Sequence, residues 1–222
     1  MMSPIASSIE RFVASVALAG LLCAGACNIV APIVYAVEGP PKNKAVADLE
    51  GNRPTVIFVD DRNSRLPKRS LRSDIARMAE QTLLDKDIIK TGRMIAATSA
   101  LRAAAGESGD EPLSIVDIGR EVGAEVIVYA EVKEFTLSRD GASVSPAAAL
   151  EVKVFDTMTN ARIWPAGDGG YPLVISLPTG HGQVYGMSLA ERSAAERELA
   201  NTVGLRLAQL FFTSERTTGL GT

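Results

Sequence analysis

The chain has 222 residues, 46% of them hydrophobic, and a formal net charge of -3. Those values belong to a chain that folds around a core and exclude disordered and collagen-like classes. The acidic balance and an aromatic content of 5% argue against a general nucleic-acid binder, which needs a basic surplus and stacking rings.

Composition departs from the average first at the N-terminus. Arg11 precedes the apolar run FVASVALAGLLCAGA, and a charged start, an apolar middle and small residues follow the order of an export signal. Ala24-Gly25-Ala26-Cys27 resembles the lipobox of bacterial lipoproteins, where small residues before a cysteine let a dedicated peptidase reach the bond. Ala24 stands where that motif usually has Leu. The resemblance implies cleavage after Ala26, a diacylglyceryl group on the Cys27 thiol and acylation of the freed amine. Each buried methylene contributes about 0.8 kcal/mol, so two or three acyl chains hold where one does not. Cys23, the other cysteine of the chain, would leave with the signal, and no disulfide framework would remain. Two other readings stay open. Phe12 to Val37 reaches the roughly 20 residues that span a bilayer, although Asn28 and Pro32 interrupt it. Val34-Tyr35-Ala36 would serve ordinary signal peptidase and release a soluble protein. All three export the bulk of the chain. Asn28, in place of the Asp that retains many lipoproteins at the inner membrane, favours the outer one.

The expected organisation is a signal peptide at 1–26, a lipidated cysteine and tether at 27–52, one α/β domain at 53–213 and a flexible tail at 214–222. PTVIFVDD (54–61) predicts a buried strand, and DRNSRLPKRS an exposed polar loop. Ser70 is the expected N-cap of a helix to about Leu84, with Leu71, Ile75, Met78, Ala79 and Thr82 on its apolar face. A short strand is expected at Asp87 to Lys90, then a weak helix in MIAATSALRAAA (94–105). Ser114 should cap a helix that Gly123 stops. Ala124 to Leu137 predicts a strand, and Ala148 to Asp156 another, alternating Leu150, Val152 and Val154 against Glu151 and Lys153. After a turn at 157–160 come short strands in ARIWP and YPLVISLP. Ser188 and Glu191 form a capping box for a last helix that carries Leu199, Val203, Leu207 and Leu210 or Phe211 on one stripe. The order β-α-β-α-β-β-β-α predicts a single-domain α/β sandwich, a mixed sheet of about 4–5 strands with helices mainly on one face.

Two stretches carry a further resemblance. IGREVGAEVIVYAEV (118–132) and VKVFDTMTNARIW (152–164) resemble the helix, Gly-Ala, strand step and the following hairpin of periplasmic lipoproteins related to the curli-secretion lipoprotein and the penicillin-binding-protein activator lipoprotein. Thr159-Asn160 stands where Thr-Gly is usual; Asn also tolerates positive φ, so the turn survives. The resemblance implies a periplasmic domain on a lipid tether that binds or assembles with other envelope proteins. It carries no catalytic residues to transfer.

Catalytic sets are hard to find. His181 is the one histidine, in the loop PTGHGQVYG, and reads as solvated rather than catalytic. One histidine without a mature cysteine makes no zinc site, and no calcium loop or cofactor motif is present. Asp60 and Asp61 are adjacent on a strand end, so their side chains point apart, which suits loop capping better than an acid/base pair. Gly167-Asp168-Gly169-Gly170 reads as a turn. Arg62, Arg65, Leu66, Lys68 and Arg69, with Arg72 beyond, form a basic cluster that is the first choice for a contact surface, facing anionic lipid or an acidic partner. The favoured function is a non-catalytic, lipid-anchored envelope protein that takes no cofactor, metal or nucleic acid; a homo-oligomer stays open. A pore is disfavoured, since the segments 138–147 and 165–188 are too broken for membrane strands. The alternatives are an envelope hydrolase around Asp60, Asp61 and His181, and a small-molecule or glycan binder that uses Tyr171 and Trp164, although Trp164 suits the core better.

Overall fold

Pro54 leads into six residues, TVIFVD, with no polar alternation. In the computed structural model they form strand β1 (Thr55–Asp60), and all six are buried. A strand with that pattern has to be covered on both faces. The structure describes residues 42–106, 113–180 and 182–215. Lys44–Ser214 form one compact unit; of the other unit only Lys42, Asn43 and Glu215 are described.

Along the first of these, α1 (Ser70–Asp85), β2 (Met94–Ile95), α2 (Ala97–Ala105) and α3 (Ile115–Glu121) follow β1. Then come β3 (Val126–Thr136), β4 (Ala147–Asp156), β5 (Arg162–Trp164), β6 (Tyr171–Ser176) and α4 (Leu189–Ala208). The six strands make one open mixed sheet in the order β2-β1-β3-β4-β5, with β6 paired to β4. β2 and β3 flank β1 in parallel, Thr55 lying opposite both Met94 and Val126. β4 is antiparallel to β3, and β5 and β6 are antiparallel to β4.

Alternate residues divide the core between two faces. Ile57, Val59, Val128 and Val152 pack under α1 and α4, with Leu71, Ile75, Leu199, Val203 and Leu207. Val56, Phe58, Ile127 and Tyr129 pack under α2 and α3, with Ala100 and Ile118. The α/β sandwich expected from the sequence is therefore present, with the 16- and 20-residue helices on one face. The shorter α2 and α3 cover the other. Each fully buried Ile or Leu contributes about 1.5–3 kcal/mol to this core. At Gly204 on α4 a methyl group would collide with the Ile75 carbonyl and lie 2.7 Å from Met78 Cβ. The absence of a side chain there lets α4 and α1 cross closely.

Local signals explain most element ends. Glu191 N–H donates to Ser188 Oγ at 3.2 Å and Ser188 N–H to Glu191 Oε2 at 2.7 Å, which completes the capping box. Ser114 Oγ accepts from Asp117 N–H, and Gly123 ends α3 at φ 74°. Asn160 takes φ 61°, a left-handed conformation that Asn tolerates in the β4–β5 turn.

Three expectations are corrected. Ser70 is the first residue of α1, not its cap: Arg69 holds that position with helical backbone angles and no side-chain bond. Asp87 to Lys90 is not a strand. Asp87 turns at φ 52°, and the Ile88 and Ile89 N–H groups close back on the Leu83 carbonyl; the short strand follows at Met94–Ile95. Leu66, placed by its polar neighbours on an exposed loop, is only 7% exposed and joins the core.

Candidate functional site

β1 delivers Asp60 and Asp61 to the carboxyl end of the parallel strands. Their side chains part, as adjacent strand residues must. Asp60 Oδ2 accepts the Tyr129 hydroxyl at 2.8 Å and Arg62 Nε at 2.7 Å, with Arg62 Nη2 at 2.6 Å. Hydrogen bonding to Asp60 raises the Arg62 guanidinium. Burial, followed by the hydrogen bond to Asp60, raises the Tyr129 phenol. Asp61 faces the loop instead: its carboxylate accepts Arg65 N–H at 2.6 Å and Leu66 N–H at 3.1 Å. One aspartate anchors an arginine and a tyrosine, and the other caps the turn. The two are not brought together as an acid/base pair.

The loop that these aspartates shape carries the basic cluster. Arg62, Arg65, Lys68 and Arg69 are exposed. Lys68 Nζ reaches α4, donating to Ser193 Oγ at 2.6 Å and pairing with Glu196 at 2.8 Å. Leu66 lies beneath, packed into the core. Clefts open on either side of Leu66 and Pro67. One, of about 480 Å³, is lined by Arg62, Arg69 and Arg72 together with Leu101, Ala104 and Ala105 from α2. The other, of about 420 Å³, includes Phe135, Leu137, Tyr185 and Arg192; Tyr185 is 80% exposed.

The remaining candidates lie elsewhere. Trp164 and Tyr171 stack on each other with centroids 4.9 Å apart, and Trp164 meets Phe211 edge-on at 6.4 Å, so both half-buried rings pack on the core's edge. Arg162 Nη1 donates to the carbonyls of Asp168 and Gly169, and Gly170 N–H to Glu151 Oε1, which makes the glycine run a braced turn. His181, Ala26 and Cys27 lie outside the described residues. Among the described residues no group of three or more His, Cys, Asp or Glu side chains is placed to hold a metal, and no helix is long and apolar enough to cross a membrane.

Sequence reasoning missed the Tyr129–Asp60 contact and the α2 wall of the larger cleft. Register explains the first, since Phe58 pairs with Tyr129 and Asp60 lies two residues along the same face. The second depends on which sheet face α2 covers, and no local pattern states that.

No family model matches the chain, and no curated protein does. Solved structures resemble it distantly. The PelC dodecamer from Paraburkholderia phytofirmans is 13% identical, with 78% of this chain and 96% of that one covered at a TM-score of 0.40. Lipoprotein GNA1162 from Neisseria meningitidis is 7% identical, with 68% and 97% covered at 0.38. The LpoB C-terminal domain from Salmonella enterica is 17% identical, with 57% and 84% covered at 0.35.

Proposed function

We propose that this chain is a lipid-anchored bacterial envelope protein, non-catalytic, whose domain binds or helps assemble other envelope proteins from the periplasmic side. The observation that carries the reading is Ala24-Gly25-Ala26-Cys27 directly after an export-like apolar run. A thioether-linked diacylglyceryl group and an acylated amine at Cys27 would moor the domain, with the segment between Cys27 and the compact unit that starts at Lys44 as tether and the outer membrane as the favoured site. The contact surface is the loop bearing Arg62, Arg65, Lys68 and Arg69, held in shape by Leu66 and Asp61. Its aspartates serve structure, which supports a binding role over the hydrolase alternative.

The intact mass of the N-terminal peptide from purified membranes tests the anchor. Acylated Cys27 is the expected product. An unmodified Cys27, or a mature terminus after Ala36, overturns it. Crosslinking in intact envelopes, followed by purification under denaturing conditions, tests the role: recovery of the domain without a protein companion counts against assembly.

A further inference from the structure

The larger cleft holds cations without matching acceptors. Arg69 and Arg72 stand at the start of α1, a helix with no acidic residue in its first turn and no side-chain cap. That is the reverse of the usual arrangement, because helix N-termini carry partial positive charge and attract carboxylates. Arg72 Nε is buried and has no hydrogen-bond partner among the described residues. A buried charged donor without an acceptor is costly, and such exceptions call for a physical reason. Arg62 is already shared with Asp60. The single carboxylate in the lining, Asp61, is turned to the backbone N–H groups of Arg65 and Leu66.

Topology points to the same place. The connection leaving β1 passes through α1 on one face of the sheet, whereas the one leaving its parallel neighbour β2 passes through α2 on the other. β2 ends at Ile95, level with Val56, so α2 runs beside the rest of β1 and its last turn comes up to the loop that follows Asp60. The cleft lies between the loop after β1 and α2, with guanidinium groups on one side and Leu101, Ala104 and Ala105 on the other.

We infer that this cleft binds a phosphate-bearing ligand, with Arg72 and Arg69 as its charge-assisted donors, the α1 N-terminus contributing its dipole, and the α2 wall packing against the ligand's apolar part. The geometry of guanidinium and phosphate allows two parallel hydrogen bonds per arginine. The phosphate could belong to a free metabolite or to a phospholipid headgroup. The site goes beyond the proposed adaptor role and does not require lipidation of Cys27.

The test is isothermal titration of the full-length chain in non-ionic detergent with three probes: inorganic pyrophosphate, dihexanoyl phosphatidylglycerol and dihexanoyl phosphatidylcholine, each lipid below its micelle concentration. Saturable binding of pyrophosphate or of the glycerol lipid is expected, and Arg69→Gln and Arg72→Gln should each weaken it about tenfold, the loss of one charge-assisted contact. Far-ultraviolet circular dichroism and the melting temperature report whether each variant is folded. Pyrophosphate binding identifies a free phosphate as sufficient, whereas binding of the glycerol lipid alone identifies the headgroup. If neither pyrophosphate nor the glycerol lipid binds, or if both folded variants bind as the parent does, the site is refuted; binding of the choline lipid that both variants leave unchanged refutes it too, as uptake of the acyl chains alone.

Discussion

At the turn between β4 and β5 the charges are matched, whereas at the loop after β1 they are not. Arg53 sends Nη2 to Asp156 at 2.8 Å and Nε to Glu125 at 3.1 Å, with Glu50 at 3.5 Å. Asp156 Oδ1 in turn accepts the N–H groups of Met158 and Thr159. Thr157, wholly buried, donates to the Ala124 carbonyl at 2.5 Å. Arg120 closes the far side through the Thr157 carbonyl and the Asn160 side chain. The charged and buried polar groups named here all have partners inside the domain. In the β1 loop, Arg62 and Lys68 have partners but Arg69 and Arg72 Nε have none among the described residues. The first corner is structural and complete. The second has donors to spare, and surplus donors are what a ligand or partner can use.

Breaking the matched corner should have the largest effect. Arg53→Ala leaves three carboxylates without their shared cation, and its side chain is only 18% exposed, so a loss of about 3 kcal/mol is expected. Urea unfolding should show a lower midpoint with an unchanged slope. A loss well under 1 kcal/mol would mean that the corner is held by its backbone bonds alone. Thr157→Val keeps the shape but strips the Ala124 carbonyl of its donor, for an expected loss of about 1–2 kcal/mol. The Thr157 methyl group already crowds Gly119, where a Cβ would lie 2.6 Å away; Gly119→Ala should therefore destabilise, the reverse of the gain that Gly→Ala brings at an uncrowded helix position.

A pH titration sharpens the comparison from the sheet's open face. Glu151 is held down to about 2, from an ordinary 4.5, mainly by its hydrogen bond from Lys153 and then by Lys133. A carboxylate depressed in the fold stabilises it above its unfolded value and loses that contribution as pH falls through the folded one. The window is therefore pH 4.5 down to about 2. Asp156, lowered by the Thr159 N–H and then by Arg53, acts in the same direction. Glu80 acts oppositely. Burial raises it, against the lowering effect of the Ala97 N–H that it accepts at 2.6 Å, so its contribution is present below 4.5 and fades as pH rises through its folded value. Lys153→Met should flatten the acid limb of stability against pH, and an unchanged limb would show that Glu151 does not carry it.

What could be read from the sequence was local. The capping box at Ser188 and Glu191, the stop at Gly123 and the strand run at 54–61 each need only neighbours a few residues away. The Asp156–Asn160 turn was legible for the same reason, since its carboxylate bonds the N–H groups two and three residues on. Ser70 was misread because the chain already enters helical angles at Arg69, and Ile88-Ile89 because an apolar pair in a helix-closing turn looks like a strand. Leu66 was misread because a single apolar residue among polar ones takes its burial from a core cluster whose other members are drawn mostly from far along the chain. The cleft was half legible: its arginines stand together in sequence, but the α2 wall opposite them depends on sheet order. Cys27, on which the proposed anchoring rests, lies outside the described residues.

The smallest expected effect is the one that separates the two corners most sharply, because its sign reverses. Arg53→Ala removes a cation that its neighbours need. Arg72→Leu removes one whose buried Nε has no acceptor among the described residues, while the leucine keeps much of the side chain's apolar stem in place. Replacing an unsatisfied buried donor by an apolar group of similar shape is neutral or stabilising, and it also relieves repulsion from Arg69 and the positive end of α1. In phosphate-free buffer Arg72→Leu should therefore match the parent or gain about 0.5 kcal/mol. With saturating pyrophosphate the order should invert, because the parent binds the anion more tightly and gains more from it. A loss in phosphate-free buffer as large as that of Arg53→Ala would place Arg72 among the structural cations and erase the distinction between the two corners.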